Sequence, residues 1–376
     1  MSEQGQTAEP PPAAPAPGPA AARPVVPGGD AVGTHRVLEP RGALPQPALR
    51  LDNDFARLFE GEALVGVETL NIDAASFMQM EQAAASQGTS SDGVEQAVAH
   101  IVLRTVAARG KQHNPVTGSG GMLLGRVLQV APGRSDGLAA GDRIATLVSL
   151  SLTPLRIDRV HRVRRGSAQV DVDAEAVLFA SGACAKLPAD LPERLALAAL
   201  DVAGAAPQVA RLVKPGQVVV VLGAGGKSGV LCVAEARRTG GPSAHVVGIE
   251  AAPRAAEELR ALGLCSAVVA ADARDPLAIR RAVLEATGGR AADVTFSCVN
   301  VPDAELGAIL ATRDRGIVYF FAMSTSFTKA ALGAEGVGKD VDLFIGNGFA
   351  HGHAEHTLAM LREMPAVRGL FEKRYA

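Results

Sequence analysis

The chain has 376 residues, 48% of them hydrophobic and 20% charged, with a formal net charge of -2, 3% aromatics and no Trp. That composition suits a two-domain globular protein and offers neither a polyanion-seeking surface nor stacking platforms, so nucleic acid and anionic membranes are not expected partners. Four widely spaced cysteines (Cys184, Cys232, Cys265, Cys298) without a CxxC pair, no apolar run near about 18 residues and no apolar leader predict reduced thiols, no metal, no transmembrane helix and a cytoplasmic protein.

Residues 1–28 form a Pro/Ala/Gly tract with little to bury, expected to be a disordered tail. Residues 29–190 carry short β-like runs between turn residues, such as GGMLLGRVLQVAPG and SAQVDVD, and predict a mostly β domain. One helix interrupts it: Val94–Gly110 keeps apolar residues at i, i+3, i+4 and i+7 and stops at a glycine. From 191 to 349 the pattern changes. A helical stretch, LPERLALAALDVAGAAPQVARLV, leads into five near-continuous apolar strands at 217–223, 244–250, 266–270, 292–298 and 316–322. Amphipathic connectors separate them, and VDLFIGNGF reads as a further strand. This predicts an α/β Rossmann domain, a doubly wound parallel sheet with helices on both faces. Residues 350–376, which include HAEHTLAMLREM, are expected to pack back on the first domain.

The first of these strands runs into GAGGKSG, residues 223–229. A P-loop would need its first glycine at Val221, inside the strand, so a nucleoside triphosphate site is not favoured. A dinucleotide fits better. Gly223 allows the tight turn, Gly225 or Gly226 lets the backbone approach a pyrophosphate, and Gly229 lets helix and strand pack closely. Ser228 takes the last slot of a strict G-x-G-x-x-G, so the spacing is instead G-x-x-G-x-x-G. Lys227 and Ser228 either touch phosphate or ribose or face solvent. Glu250 ends the second strand, where a carboxylate accepts ribose hydroxyls, which favours NAD. Arg254 lies four residues on and could meet a 2′-phosphate, so NADP stays open.

Taken whole, LALAALDVAGAAPQVARLVKPGQVVVVLGAGGKSG resembles the medium-chain dehydrogenase/reductase superfamily. GDRIA (141–145) is similar to a turn of that superfamily's GroES-like domain. NIDAASF stands where its zinc enzymes carry a cysteine, and no GHE motif follows, so the resemblance is to the zinc-free branch. Longer strings at the front (33–54, 70–77, 114–132 and 147–158) and LFIGNGFAHGHAEHTLAML (343–361) look like the L-erythro-3,5-diaminohexanoate dehydrogenase family. The resemblance implies a GroES-like, mostly β substrate domain beside the Rossmann domain and a homodimer joined at the sheet's last strand. It also implies oxidative deamination of a diamino acid in lysine degradation, giving 5-amino-3-oxohexanoate and ammonia.

That chemistry needs a cation for the carboxylate, an acid for the C5 ammonium, a base for the C3 ammonium and a held water. The resemblance makes Asp73 the candidate base or ammonium anchor, although it also reads as the N-cap of a helix starting at AASF. His113, with Asn114, is a second catalytic candidate or a structural histidine. Thr117, Ser119 and the backbone of Gly118, Gly120 and Gly121 offer a carboxylate cradle or only a tight turn. Arg126 is a candidate carboxylate clamp or a surface arginine. His351 and His353 have metal-like spacing but no partner acid, and read as a loop near the cofactor or the dimer seam. Two other readings stand beside this one: a zinc-free NADPH-linked quinone or enoyl reductase, and a non-catalytic dinucleotide sensor.

Overall fold

The computed structural model describes residues 22–85, 91–115, 118–322 and 324–375. Residues 23–28, expected inside the unstructured tail, are docked instead. β1 (Val25–Val26) lies parallel to β4 (Leu58–Phe59). Arg23 is tied to Gln129 through its backbone and to Glu175 through its guanidinium. Two valines and one arginine therefore find partners that a composition count does not see; the rest of the tail, 1–21, lies outside the described residues. Between β1 and β4 in sequence, β2 (Val37–Glu39) and β3 (Arg50–Leu51) form a short antiparallel pair.

The first domain is an antiparallel six-stranded sheet. Its strands are β5 (Ala63–Asn71), β6 (Met122–Val130), β7 (Arg143–Thr146), β8 (Leu155–Arg164), β9 (Gln169–Leu178) and β10 (Cys184–Lys186), in the order β10-β7-β6-β5-β9-β8. Alternation sends successive side chains to opposite faces. Leu123 and Val127 join Val65 and Val67 in one core, closed by α1 (Ala74–Ala85) and α2 (Ser91–Arg109). Helix α2 presents Val94, Val98, Val102 and Val106 at four-residue spacing to that core. Met122, Leu124 and Ala145 point the other way, into a second core shared with α3 (Glu193–Leu200).

The second domain has the strand order β13-β12-β11-β14-β15-β16, all parallel. The strands are β11 (Val218–Leu222), β12 (His245–Ile249), β13 (Ala267–Val269), β14 (Ala292–Ser297), β15 (Thr312–Phe320) and β16 (Val341–Ile345). The valine run of β11 is apolar throughout because both faces are covered. Val218, Val220 and Leu222 pack on the side of α7 (Pro276–Thr287) and α8 (Glu305–Ala311); Val219 and Val221 face α4 (Ala205–Leu212) and α5 (Lys227–Gly240). Helices α6 (Pro253–Ala261) and α9 (Phe327–Gly336) complete the layers. The last two helices, α10 (His353–Glu363) and α11 (Pro365–Tyr375), join the second core with α3 and so tie the sheets together.

Candidate active site

The glycine loop begins where β11 ends. Gly223 sits at φ +70, in the left-handed region open to glycine. Gly226 caps α5 with no side-chain bond, leaving the first-turn N–H groups of Lys227, Ser228 and Gly229 without intrahelical acceptors. A Cβ on Gly229 would lie 2.1 Å from Gly223 O, and one on Gly225 would lie 2.9 Å from Glu250 Oε2. Only Gly226 of the turn is exposed, and the N–H groups of Gly223, Ala224, Gly225 and Gly226 are engaged within the fold, so the first-turn N–H groups of α5 are the ones left for a ligand. These groups fit the diphosphate of a dinucleotide. Glu250 accepts from Gly225 N at 2.9 Å and from Ala252 N at 3.0 Å, so its carboxylate stands beside the loop at the second strand end. Arg254 is 84% exposed and turned toward Glu258. Ser228 is half-buried on the first turn of α5.

Lys227 neither faces solvent nor lies over the loop. Its Nζ donates to Asp201 Oδ2 at 2.8 Å, the two side chains being 15% and 13% exposed. Burial draws this ammonium's pKa down, but Asp201, Tyr375 and Asp73 outweigh it and hold the pKa above its ordinary value. Asp73 belongs to the first domain and Lys227 to the second, so carboxylates of both domains act on this ammonium. The Tyr375 ring lies 5.3 Å from Lys227 Nζ. Beside it Arg374 donates to Gly225 O at 2.6 Å and pairs with Glu258. The last turn of α11 therefore closes over the glycine loop.

On the first-domain side Asp73 does cap α1. Its Oδ1 accepts from Ser76 N at 2.9 Å and its Oδ2 from Ser76 Oγ at 2.6 Å. Asn114 Nδ2 continues the network to Ser76 Oγ at 2.7 Å and Gln79 Oε1 at 3.1 Å. Both oxygens of the carboxylate are therefore engaged in the cap. His113 precedes this network, its Nδ1 buried without a partner among the described residues. Burial, with Lys111 and Arg109 adding to it, pushes its imidazole below the usual pKa and favours the neutral form.

For two candidates the structure favours the second of the two readings offered. Arg126 is exposed and donates to Gly141 O. It lies four residues, ~13 Å along β6, from the Met122 end that pairs with Asn71 beside Asp73. An arginine at that rim is no clamp for a carboxylate in the cleft. The glycine turn after Asn114 is no cradle either. Gly118 N donates to Asn114 O, Gly120 N to Ser149 Oγ and Gly121 N to Ser119 Oγ, so the N–H groups serve the turn itself; Thr117 lies outside the described residues. Cations gather elsewhere, around a cavity of about 360 Å³ that Arg162, Arg164, Arg194 and Arg374 line next to Tyr375. His351 is exposed, and His353 is buried with its ring 5.1 Å from that of Phe349. No group of three or more His, Cys, Asp or Glu among the described residues is placed to hold a metal ion.

Sequence reasoning missed Asp201, Arg374 and Tyr375. Asp201 carried a usable signal, since it is the only charged residue in LALAALDVAGAA. The terminal pair carried none, because its partners lie more than 100 residues away.

Residues 35–188 match the family described as L-erythro-3,5-diaminohexanoate dehydrogenase N-terminal domain. The chain is 50% identical over 346 residues to an L-erythro-3,5-diaminohexanoate dehydrogenase from Acetoanaerobium sticklandii, a match covering 91% of this chain and 98% of that protein. A protein of the same name from Fusobacterium nucleatum is 49% identical over the same shares. Among solved structures, a mycobacterial protein in complex with NADPH is similar with a TM-score of 0.53 at 15% identity, covering 84% of this chain and 90% of that one. The CurK enoyl reductase is similar with a TM-score of 0.52 at 14% identity, covering 81% and 79%. These two likenesses concern the fold.

Proposed function

Because the chain belongs to the L-erythro-3,5-diaminohexanoate dehydrogenase family, we propose that it oxidises L-erythro-3,5-diaminohexanoate at C3 with NAD. The products are 5-amino-3-oxohexanoate, ammonium and the reduced cofactor, and the place of the reaction is lysine degradation. The observation that carries the reading is the Asp201 carboxylate seated on an ammonium at 2.8 Å beside a dinucleotide loop, with Asp73 adding its field to the same ammonium. A diamino acid is a dication with one carboxylate, and such a substrate needs acids on one wall and cations on another. The arginine-lined cavity next to Tyr375 supplies the cations.

The first-turn N–H groups of α5, beside the close glycine turn, and Glu250 would hold the dinucleotide. When bound, it accepts the hydride from C3. The protein's part is to orient and to move protons. The C3 ammonium must lose a proton before its C–H bond can give up hydride, and Asp73 is the proposed base, with neutral His113 beside its network. Water then adds to the C3 iminium, and ammonium leaves. One proton is released in the balance.

Glu250 supports NAD over NADP, since its carboxylate repels a 2′-phosphate, and the exposed Arg254 engages Glu258 instead of turning to the loop. We take the protein to act on a small molecule in the cytoplasm as a homodimer. No single helix among the described residues is long and apolar enough to cross a membrane.

The test is absorbance at 340 nm with the purified chain, 3,5-diaminohexanoate and NAD, repeated with NADP, with ammonium measured in parallel. NADH and ammonium formed in equal amounts are expected. No signal with either cofactor, but NADPH oxidation by a quinone or an enone, would overturn the reaction while leaving the fold.

A further inference from the structure

Lys227 belongs to two sites at once. Its backbone N–H is among the first-turn groups that fit a diphosphate. Its side chain reaches the other way, to Asp201 at 2.8 Å, with Tyr375 at 5.3 Å and the Asp73 carboxylate acting on the same ammonium. Asp201 closes α3, the helix that packs against the first domain, so the ion pair joins the end of α3 to the first turn of α5.

A lysine side chain is a flexible four-carbon stem with a compact charge. It can swing from Asp201 to a diphosphate oxygen without moving the backbone of α5. A diphosphate carries more negative charge than one carboxylate, and α5 adds its N-terminal dipole to that side. Once Lys227 turns, Asp201 is a largely buried carboxylate without its partner, which is costly until another cation takes the place. While Lys227 stays, an incoming ammonium meets a filled seat and a like charge. We infer that Lys227 is an exchange cation: dinucleotide binding draws it from Asp201, and Asp201 then receives an ammonium of the diamino acid. Binding is therefore ordered, dinucleotide first. Asp201 is a substrate-positioning residue, and Lys227 couples the two sites. This rests on the substrate class proposed above.

The two halves of the pair should act on dinucleotide affinity with opposite signs. In calorimetric titrations of NAD without substrate, Lys227→Met should bind ~10-fold more weakly, having lost its phosphate contact. Asp201→Asn should bind several-fold more tightly, because nothing holds the lysine back. Lys227→Arg should recover most of the wild-type affinity. An ion pair that only braces the fold would weaken binding in both single variants, and that outcome, or no change in either, overturns the inference. If a lone buried charge unfolds a single variant, the Lys227→Met/Asp201→Asn double variant decides. It should match the affinity expected for loss of Lys227 alone, and wild-type affinity in it overturns the inference.

The order of binding gives a second readout. 3,5-Diaminohexanoate titrated into the wild type should bind at least ~10-fold more tightly with NADH present than without it. In Lys227→Met that difference should vanish. Turnover is not needed for any of these titrations. If NAD affinities split as expected but 3,5-diaminohexanoate neither binds nor reacts, the exchange stands and the substrate assignment falls.

Discussion

Lys111 and Arg36 are both buried cations, and their surroundings differ in kind. Arg36 is answered by Glu62, with Nε and Nη2 each donating to one carboxylate oxygen at 2.8 Å. Lys111 has two carbonyls instead, Pro45 O at 2.7 Å and Gln46 O at 2.9 Å. Burial, with Arg109 adding to it, pushes the Lys111 pKa down from 10.5 to about 8. The folded chain releases this proton before the unfolded chain does. Between those two values the unfolded state holds more protons, so stability rises with pH. Urea unfolding of the wild type and of Lys111→Met should therefore show the wild type gaining on the variant as pH climbs from about 8 toward 10.5. Parallel curves would mean that the amine titrates normally in the fold. The glycines and Glu250 could be singled out as candidates because the features that mark them lie within one short strand–turn–helix stretch. Asp201 stood out only as a lone charge in an apolar stretch, since its partner lies 26 residues away.

At the scale of an element, the β11–α5 unit combines three constraints in the twelve residues 218–229. The strand must be apolar on both faces, the turn must reach the left-handed region at Gly223, and the helix must pass within contact of the turn. The tightest of these is at Gly229, whose added Cβ would meet the carbonyl oxygen of Gly223, an atom of the backbone. Gly229→Ala is expected to lower stability by about 1–3 kcal/mol and to abolish measurable dinucleotide binding. Gly226 is the internal control: an added Cβ there lies 3.4 Å from its nearest neighbour. Gly226→Ala should cost within about 1 kcal/mol. Thermal unfolding and a dinucleotide titration on both variants check this, and equal effects would show that the close approach at Gly229 is not limiting. Helix α1 is a case the residue pattern only hinted at. Asp73 was readable as a cap, but the helix behind it has a buried face of only Ser76, Phe77, Met80 and Ala84.

At the scale of the molecule, β16 ends the parallel sheet with an unpaired edge. Phe344 and Ile345 on it are 44% and 64% exposed. They share a cavity of about 320 Å³ with Tyr319 and Arg211. An apolar open edge invites pairing with another copy of itself. Light scattering at micromolar concentration should give twice the chain mass, and Ile345→Lys should shift the protein toward the single-chain mass. A wild type that runs as one chain would leave the edge uncovered and remove the dimer. The same scale explains the C-terminus: α10 and α11 fill the core between the sheets, and that packing carries Arg374 and Tyr375 onto the glycine loop.

Strand and helix periods, the glycine spacing and the strand-end acid were decided within short windows of sequence, because backbone geometry repeats every two or 3.6 residues. From these alone came the parallel sheet, the dinucleotide loop and the mostly β first domain. The tertiary structure decided which charges meet. It docked Arg23 on Glu175, sent Arg126 to the rim and turned Lys227 from the loop to Asp201. Each charge had several possible partners far apart in the chain, and only packing determines which carboxylate ends within 3 Å of which cation.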